Sequence, residues 1–179
     1  GDIRDLEACI CATSDVEIVV HAAGEKNDPS QMHAINVEGT ANLVDAACKN
    51  KVKVFIYLSS VGVIGAPPLQ KMTWDEKAVC RPGNEYERSK RLAEDIVRKA
   101  SVKGLRSVIL RPTNVFGDQD PARGLLSLTK TVRDGRFVFL GGRDVMCNFV
   151  FVEDVAHAVV TMIRNKEALE DLYHIADPC

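Results

Sequence analysis

The sequence lacks the features that mark several classes of protein. No apolar run approaches the ~20 residues that a helix needs to cross a membrane, and the first residues have no basic-then-apolar signal pattern. Lysine and arginine (23) nearly balance aspartate and glutamate (25), with both signs interspersed and no basic stripe for nucleic acid. We therefore expect a soluble, cytoplasmic protein that binds neither membrane nor nucleic acid.

The cysteines lack the spacing of a metal site. None of the six belongs to a Cys-x-x-Cys pair or to a Cys/His pattern typical of zinc. Cys9 and Cys11 are separated by one residue and would point to different sides of a helix. No second cysteine pair is available to complete a metal site with them. The cysteines are interpreted as reduced, structural thiols, and no metal is expected.

The elements that are present alternate between strand and helix. Hydrophobic residues form 46% of the 179 residues, which is enough for a sizeable core. Short β-branched runs predict strands at 16–22, 52–58 and 107–110, with helical patterns at 29–49 and 86–100 between them. This order is typical of a doubly wound parallel sheet in an α/β protein.

The pattern changes after Gly117. Asp154 is predicted to cap the N-terminus of a helix. The other predicted elements are a helix at 124–133 and strands at 136–140, 148–152 and 172–175.

Small or polar residues follow three of the predicted strands. These segments are His21–Gly24, Ser59–Gly62 and Arg111–Asn114. Because the carboxyl ends of parallel strands meet at one edge of a sheet, we expect the three segments to line one crevice.

Tyr86 and Lys90 lie four residues apart on one predicted helix, so their side chains share a face. The ammonium group would favour phenolate and lower the pKa of Tyr86. Such a tyrosine can exchange a proton with a substrate hydroxyl while hydride moves to or from a nicotinamide. A hydroxyl from Ser59-Ser60 could donate to the same oxygen, which completes a proton relay. Without this context, Tyr86-x-x-x-Lys90 could also be an exposed helix face.

Seven segments in order resemble the extended short-chain dehydrogenase/reductase family, also called the NAD-dependent epimerase/dehydratase family. They cover nearly the whole chain. The segments are Gly1–Asp5, Val19–Gly24, Asn36–Thr40, Tyr57–Gly65, Tyr86–Lys90, Arg111–Gly117 and Phe149–Ala156. The resemblance implies a Rossmann-like fold, with a partial dinucleotide-binding region at 1–118 and a partial substrate-binding region at 119–179, packed as one body.

The resemblance also implies the site. Tyr86 would be the catalytic acid/base, Lys90 its pKa-lowering and ribose-binding partner, and Ser60 the hydroxyl that orients the reacting oxygen. NAD or NADP would be the cofactor, with a small molecule as substrate. The remaining implied residues are Asp2 and Ile3 at the adenine, Ala22, Ala23 and Gly24 at the central part of the cofactor, Asn36 at the active-site backbone, Pro112 and Val115 at the nicotinamide, and Asn114 at the substrate.

Two features depart from the family pattern. The Gly-rich turn of the family's first strand is absent, and Gly62-x-x-Gly65 follows the serine strand and cannot replace it. We therefore expect that upstream sequence is missing, that the chain as given binds dinucleotide weakly, and that strand 18–20 exposes an edge. Asn36 could alternatively be a mid-helix polar residue satisfied by the backbone.

The substrate is left open by the sequence. Cys147 stands where nucleotide-sugar members commonly carry an arginine that grips the diphosphate, although Arg143 or Arg123 could substitute. The segment 116–121 also resembles 3β-hydroxysteroid dehydrogenase-like members, and a non-catalytic NAD(P)-sensing scaffold is a further alternative. The resemblance implies a homodimer through helices 32–49 and 84–101.

Overall fold

A parallel sheet of four strands forms the centre of the molecule. The computed structural model describes residues 1–65, 74–117, 124–138, 147–165 and 172–177. The central strands are β1 (Ile18–His21), β2 (Val54–Leu58), β3 (Ser107–Pro112) and, last along the chain, β6 (Leu172–Ile175). Their order in the sheet is β1-β2-β3-β6, and every neighbouring pair is parallel.

A second, two-stranded sheet lies beside the first. It pairs β4 (Asn114–Phe116) with β5 (Phe149–Phe151) in parallel. Strand β5 agrees with the predicted strand at 148–152, whereas β4 was not predicted as a strand.

Six α-helices surround the sheets in the described residues. A π-helical segment, His33–Glu38, joins the second helix to the third, and a 3₁₀ turn, Val61–Ile64, follows β2. The α-helices are α1 (Leu6–Ala12), α2 (Pro29–Met32), α3 (Gly39–Lys49), α4 (Glu85–Val102), α5 (Gly124–Arg133) and α6 (Val152–Arg164).

Helices cover both faces of the central sheet. Residues that alternate along a strand face opposite sides, and the buried strand residues divide in this way. One cluster packs Phe55 and Ile109 with Val44 of α3 and Val97 of α4. The other packs strand residues, Ile56 among them, against α6. The predicted doubly wound α/β architecture is confirmed.

Strand β1 lies at an edge of the four-stranded sheet. Its Val20 side chain is 43% exposed. The expected open edge is therefore found in the part of the chain that the structure describes.

The predicted strand at 136–140 is not found in its described part. Arg136–Val138 lie outside any strand, and residues 139 and 140 lie outside the described ranges. The reason is the end of α5: Gly135 has φ +65°, and the Arg136 amide donates to the Thr131 carbonyl at 3.0 Å. This capping arrangement ties Arg136 to the helix rather than to a sheet.

The predicted N-cap role of Asp154 is wrong. Helix α6 begins at Val152, and Phe151 occupies the N-cap position without a side-chain hydrogen bond. Asp154 instead lies in the first turn with Glu153, where a carboxylate interacts favourably with the positive end of the helix dipole.

The described residues contain no helix that is both long and apolar enough to cross a membrane. Across the same ranges, no group of three or more His, Cys, Asp or Glu side chains could hold a metal ion.

Candidate active site

A cavity of about 780 Å³ opens where β2 and β3 end. Five predicted site residues line it: Ser60, Tyr86, Pro112, Asn114 and Val115. The apolar side chains in its wall are Met32, Phe116, Leu125, Leu128 and Phe149. The fold thus brings the ends of two strands and the start of α4 to one cavity, so two of the three segments in the crevice prediction are found together; His21–Gly24 is not among the described residues that line it.

Tyr86 enters the cavity from the first turn of α4. Asn84 fixes where the helix begins, because its side chain accepts a hydrogen bond from the Glu87 amide at 2.9 Å. Burial raises the pKa of the Tyr86 phenol, and a hydrogen bond with Ser60 lowers it only in part. The predicted lowering of this pKa is therefore not found, since burial disfavours the charged phenolate more than the neighbouring groups favour it.

The two serines after β2 have different environments. Ser60 is half-buried, and its Oγ accepts a hydrogen bond from the Gly62 amide at 3.1 Å, which caps the 3₁₀ turn. Ser59 is buried, and its Oγ donates to Glu94 Oε1 at 2.6 Å. Both serines line the cavity with Tyr86, and the assignment of Ser60 rather than Ser59 to the reaction stays a prediction.

Lys90 lies one turn further along α4 and is only 4% exposed. Its Nζ donates to the Leu58 carbonyl at 2.6 Å and lies 4.4 Å from the centre of the Tyr57 ring. Burial lowers the Lys90 pKa to about 8, although the Glu94 carboxylate raises it in part. Lys90 is not among the described residues that line the cavity; it lies beneath the ends of the strands.

Ala22, Ala23 and Gly24 are exposed directly after β1. A Cβ atom at Gly24 would lie 3.2 Å from Asn36 Oδ1 and 3.9 Å from Lys90 Nζ. A side chain there would be tight against the Asn36 amide, and glycine keeps the backbone open above the ammonium group.

Asn36 connects this loop to α4 from the π-helical segment, a feature frequently found at functional sites. Its Oδ1 accepts from the Glu25 amide at 2.7 Å, and its Nδ2 donates to the Glu25 carbonyl at 2.8 Å. The same Nδ2 donates to Ser89 Oγ at 2.9 Å, and Ser89 Oγ donates to the Tyr86 carbonyl at 2.8 Å. The Asn36 side chain therefore bonds both to backbone, as the alternative interpretation required, and to the helix that carries Tyr86.

Asp2 and Ile3 lie apart from the cavity lining. Asp2 is exposed and pairs with Arg4, whose hydrogen bonds lower the Asp2 pKa to about 2. Ile3 packs against Gly39, where a Cβ atom would approach Ile3 Cγ1 to 2.6 Å. Their adenine-binding role stays a prediction.

The far wall of the cavity is built by the small sheet. Asn114 Nδ2 donates to the Asn148 carbonyl at 2.9 Å and contacts Cys147 Sγ at 3.4 Å. The exposed Cys147 lines the cavity at the position where an arginine would identify a nucleotide-sugar site. The two predicted substitutes, Arg123 and Arg143, lie outside the described residues, as does most of the segment 116–121.

A buried ionic network that the sequence did not predict joins Glu94 of α4 to Arg111 of β3. Glu94 is 0% exposed and Arg111 is 1% exposed. Arg111 donates to both Glu94 oxygens, through Nε at 2.7 Å and Nη2 at 2.6 Å. Burial raises the pKa of Glu94, but the hydrogen bonds from Arg111 and Ser59 and nearby positive charges make the net direction downward. The available signal was the position of Glu94, four residues after Lys90 and on the same helix face.

A parallel sheet covered by helices on both faces, with a cavity at the carboxyl ends of its strands, defines a Rossmann-type α/β protein. The NAD dependent epimerase/dehydratase family matches residues 1–176. The chain belongs to this family, as the resemblance predicted.

Two curated relatives differ in the activity that their names state. One is an N-acetyl-α-D-glucosaminyl-diphospho-ditrans,octacis-undecaprenol 4-epimerase from Escherichia coli O157:H7, 32% identical over 99% of this chain and 54% of its own length. The other is a 3β-hydroxysteroid-dehydrogenase/decarboxylase from Arabidopsis thaliana (isoform 2), 32% identical over 92% of this chain and 30% of its own length. The chain thus spans about half or less of these curated relatives.

Solved structures agree with this fold. The UDP-glucose 4-epimerase of Thermus thermophilus in complex with NAD has a TM-score of 0.81 and 26% identity, covering 98% of this chain and 62% of that one. The Bordetella bronchiseptica enzyme WbmH in complex with NAD⁺ has a TM-score of 0.79 and 27% identity, covering 100% of this chain and 59% of that one.

Proposed function

We propose that the protein is an NAD(P)-dependent enzyme that oxidises or reduces a secondary alcohol or ketone carbon. The step would be either the net reaction or a transient stage of epimerisation or dehydration. Ser60, Tyr86 and Lys90 would carry it. The observation that supports this most is that Tyr86 and Ser60 line the same cavity where β2 and β3 end, which lets two hydroxyls reach one substrate oxygen.

The residues at the strand ends fit a dinucleotide. Ala22, Ala23 and Gly24 leave the backbone open above the Lys90 ammonium. Lys90 uses one hydrogen on the Leu58 carbonyl, which leaves donors for ribose hydroxyls. When bound, NAD or NADP supplies the hydride acceptor or donor. Pro112 and Val115 would border its nicotinamide, and Asp2 and Ile3 its adenine.

The chain's own side chains would move and hold the proton. Because burial raises the pKa of Tyr86, its phenol is protonated at neutral pH and can donate to a carbonyl oxygen during reduction. During oxidation the phenol must first lose its proton, which the Lys90 ammonium, one turn further along α4, would favour. Ser60 would donate a hydrogen bond to the reacting oxygen and fix its position, while Asn36 would hold the backbone around the site.

Two substrate classes follow from the relatives. A sugar linked to a diphosphate is favoured by the Escherichia coli O157:H7 relative, whose match covers 99% of this chain. A 3β-hydroxysterol is the second candidate, favoured by the Arabidopsis relative and by Cys147 in the cavity wall. Asn114 would face the substrate in either case.

We also propose the organisation of the molecule. Residues 1–118 would bind the dinucleotide and residues 119–179 the substrate, packed as one body. A homodimer would form through helices 32–49 and 84–101, in a cytoplasmic protein. The described part supports the shared helix layer, because α3 and α4 pack in one cluster on the same face of the sheet.

The Tyr86→Phe variant of the complete gene product tests the proposal. Turnover of UDP-glucose, UDP-N-acetylglucosamine and a 3β-hydroxysterol would be measured with NAD and NADP. Tyr86→Phe should lower kcat about 100-fold or more, since acid–base catalysis contributes roughly 10²–10⁴-fold. Tyr173→Phe on β6, outside the cavity lining, is the matched control and should keep wild-type turnover. Unchanged turnover in Tyr86→Phe would overturn the assignment of Tyr86, whereas a wild-type protein that binds dinucleotide but turns over none of the substrates would favour the scaffold alternative.

A further inference from the structure

The segment Leu58–Ser60 is attached to α4 at two successive residues. The Leu58 carbonyl accepts from Lys90 Nζ at 2.6 Å, and Ser59 Oγ donates to Glu94 Oε1 at 2.6 Å. The Ser59 amide also donates to the Leu110 carbonyl at 2.7 Å, continuing the pairing of β2 with β3. Backbone and side chain of Ser59 are therefore both fixed.

This attachment determines the direction of the next side chain. Ser60 is extended, with φ −153° and ψ 143°, and successive side chains of an extended chain point to opposite sides. Because Ser59 is held toward Glu94, the Ser60 hydroxyl is directed away from the network. It lines the cavity together with Tyr86.

Glu94 is itself held rigidly. Arg111 binds both carboxylate oxygens in a bidentate pair, the strong and directional form of this contact. Arg91 Nη1 adds a contact to Oε2 at 3.2 Å. A carboxylate with this many donors cannot rotate away from Ser59 without leaving buried charges unpaired.

We propose that Glu94, held by Arg111, is a positioning residue that acts through Ser59 to orient Ser60 and as the buried counter-charge of Lys90, four residues earlier on α4. This inference rests on the proposed function, because the oriented groups are those assigned to the reaction. The residue touches neither substrate nor cofactor in this scheme; it sets the geometry and charge of groups that do. The rise that Glu94 causes in the Lys90 pKa supports the second part.

Ser59→Ala tests the geometric part. It removes one hydroxyl and leaves the Glu94–Arg111 pair intact. The complete gene product should show kcat lowered about tenfold on whichever of UDP-glucose, UDP-N-acetylglucosamine or 3β-hydroxysterol it turns over, since reacting groups are sensitive to small displacements. KM for the dinucleotide should stay within about twofold of wild type, because Ser59 is not assigned to cofactor binding.

Ser107→Ala is the matched control. Ser107 and Ser59 are both 5% exposed, and Ser107 begins β3, at the end of the strand away from the cavity. Ser107→Ala should keep the wild-type kcat. Equal kcat values in the two variants would overturn the geometric part.

Glu94→Gln tests the electrostatic part through the pH profile. Loss of the carboxylate charge lowers the Lys90 pKa further, so the alkaline decline of kcat/KM should move to lower pH by about half a unit or more. Ser59→Ala keeps the charge and should keep the position of the decline. An unmoved decline in folded Glu94→Gln would overturn this part, and if that variant does not fold, Ser59→Ala still decides the proposal.

Tyr86→Phe separates the two possible failures. If Tyr86→Phe retains turnover, the proposed function fails. If Tyr86→Phe is inactive while Ser59→Ala and Glu94→Gln match wild type in kcat and pH profile, only the positioning inference fails.

Discussion

His21 at the end of β1 is neutral because its ring is buried. The ring is 1% exposed, and Nε2 lies 2.9 Å from Thr40 Oγ1. The Thr40 hydroxyl donates its own hydrogen to the Asn36 carbonyl at 2.6 Å, so Nε2 must be the donor to it. Nδ1 has no hydrogen-bond partner among the described residues. Burial, followed by the positive charge of Lys90, lowers the His21 pKa to about 3.

The His21 ring should make the fold sensitive to acid. Its folded pKa lies below the ~6.5 of an unfolded histidine, so in acid the unfolded chain binds a proton that the folded chain does not bind. Stability is therefore lost as pH falls from about 6.5 toward 3. Between pH 7 and pH 4 the loss is about 3 kcal/mol, at about 1.36 kcal/mol per pKa unit.

Urea unfolding at several pH values checks this expectation. His21→Gln should remove that part of the acid loss whatever its stability at pH 7, whereas His33→Gln at an exposed position should keep the wild-type slope. A wild-type slope in His21→Gln would contradict it.

Individual residues differ in how far the sequence could predict them. Tyr86 and Ser60 were predictable, because the fold brings strand ends and the following helix to one crevice whatever the details of packing. The burial of Glu94 was not predictable, since a carboxylate in a charged helix is usually solvated. Its burial depends on Arg111 arriving from another strand, which no local pattern reveals. The direction of the Tyr86 pKa was missed for a related reason: burial cannot be read from helix spacing.

Among the elements, the 3₁₀ turn Val61–Ile64 depends on the glycine that ends it. Gly65 has φ +87°, and a Cβ atom there would collide with the Arg81 carbonyl. The Arg81 amide donates to the Ile64 carbonyl at 3.1 Å. The turn that carries Ser60 is thus joined to the segment that leads into α4.

Gly65→Ala should destabilise the protein by about 3 kcal/mol, combining left-handed strain with displacement of the Arg81 backbone. Gly104→Ala separates the two causes, because Gly104 has φ +105° and nothing within 4 Å of its Cβ position; it should cost roughly 1–2 kcal/mol. Denaturant unfolding of both variants checks the difference. Equal losses would show that the contact with Arg81 has no energetic weight.

The elements found from sequence are the long or strongly patterned ones. Buried parallel strands are apolar, β-branched runs, and α4 has a clear apolar stripe, so both were predicted. Strand β4 has only three residues, too few for an alternation to be distinct, and was missed; β5 is equally short but lies within the predicted strand at 148–152. The π-helical segment has an ordinary helical composition, so no local pattern distinguishes it from an α-helix.

For the molecule as a whole, we expect the 179-residue chain by itself to bind NAD and NADP only in the millimolar range. The sequence given contains no Gly-rich turn to hold the pyrophosphate at a helix N-terminus. The described residues supply contacts only to the other parts of the dinucleotide. Isothermal titration calorimetry with either dinucleotide checks this, and micromolar affinity would show that another segment of the chain holds the pyrophosphate.

The π-helical segment also ties the number of residues between α2 and α3 to the position of Asn36. A π-helix closes its hydrogen bonds over one residue more than an α-helix, so removing one residue between His33 and Glu38 would let this stretch wind as an ordinary α-helix. The Asn36 side chain would then turn relative to Glu25, whose backbone it holds with two hydrogen bonds. A one-residue deletion here should therefore free the loop after β1 while the helices on both sides persist.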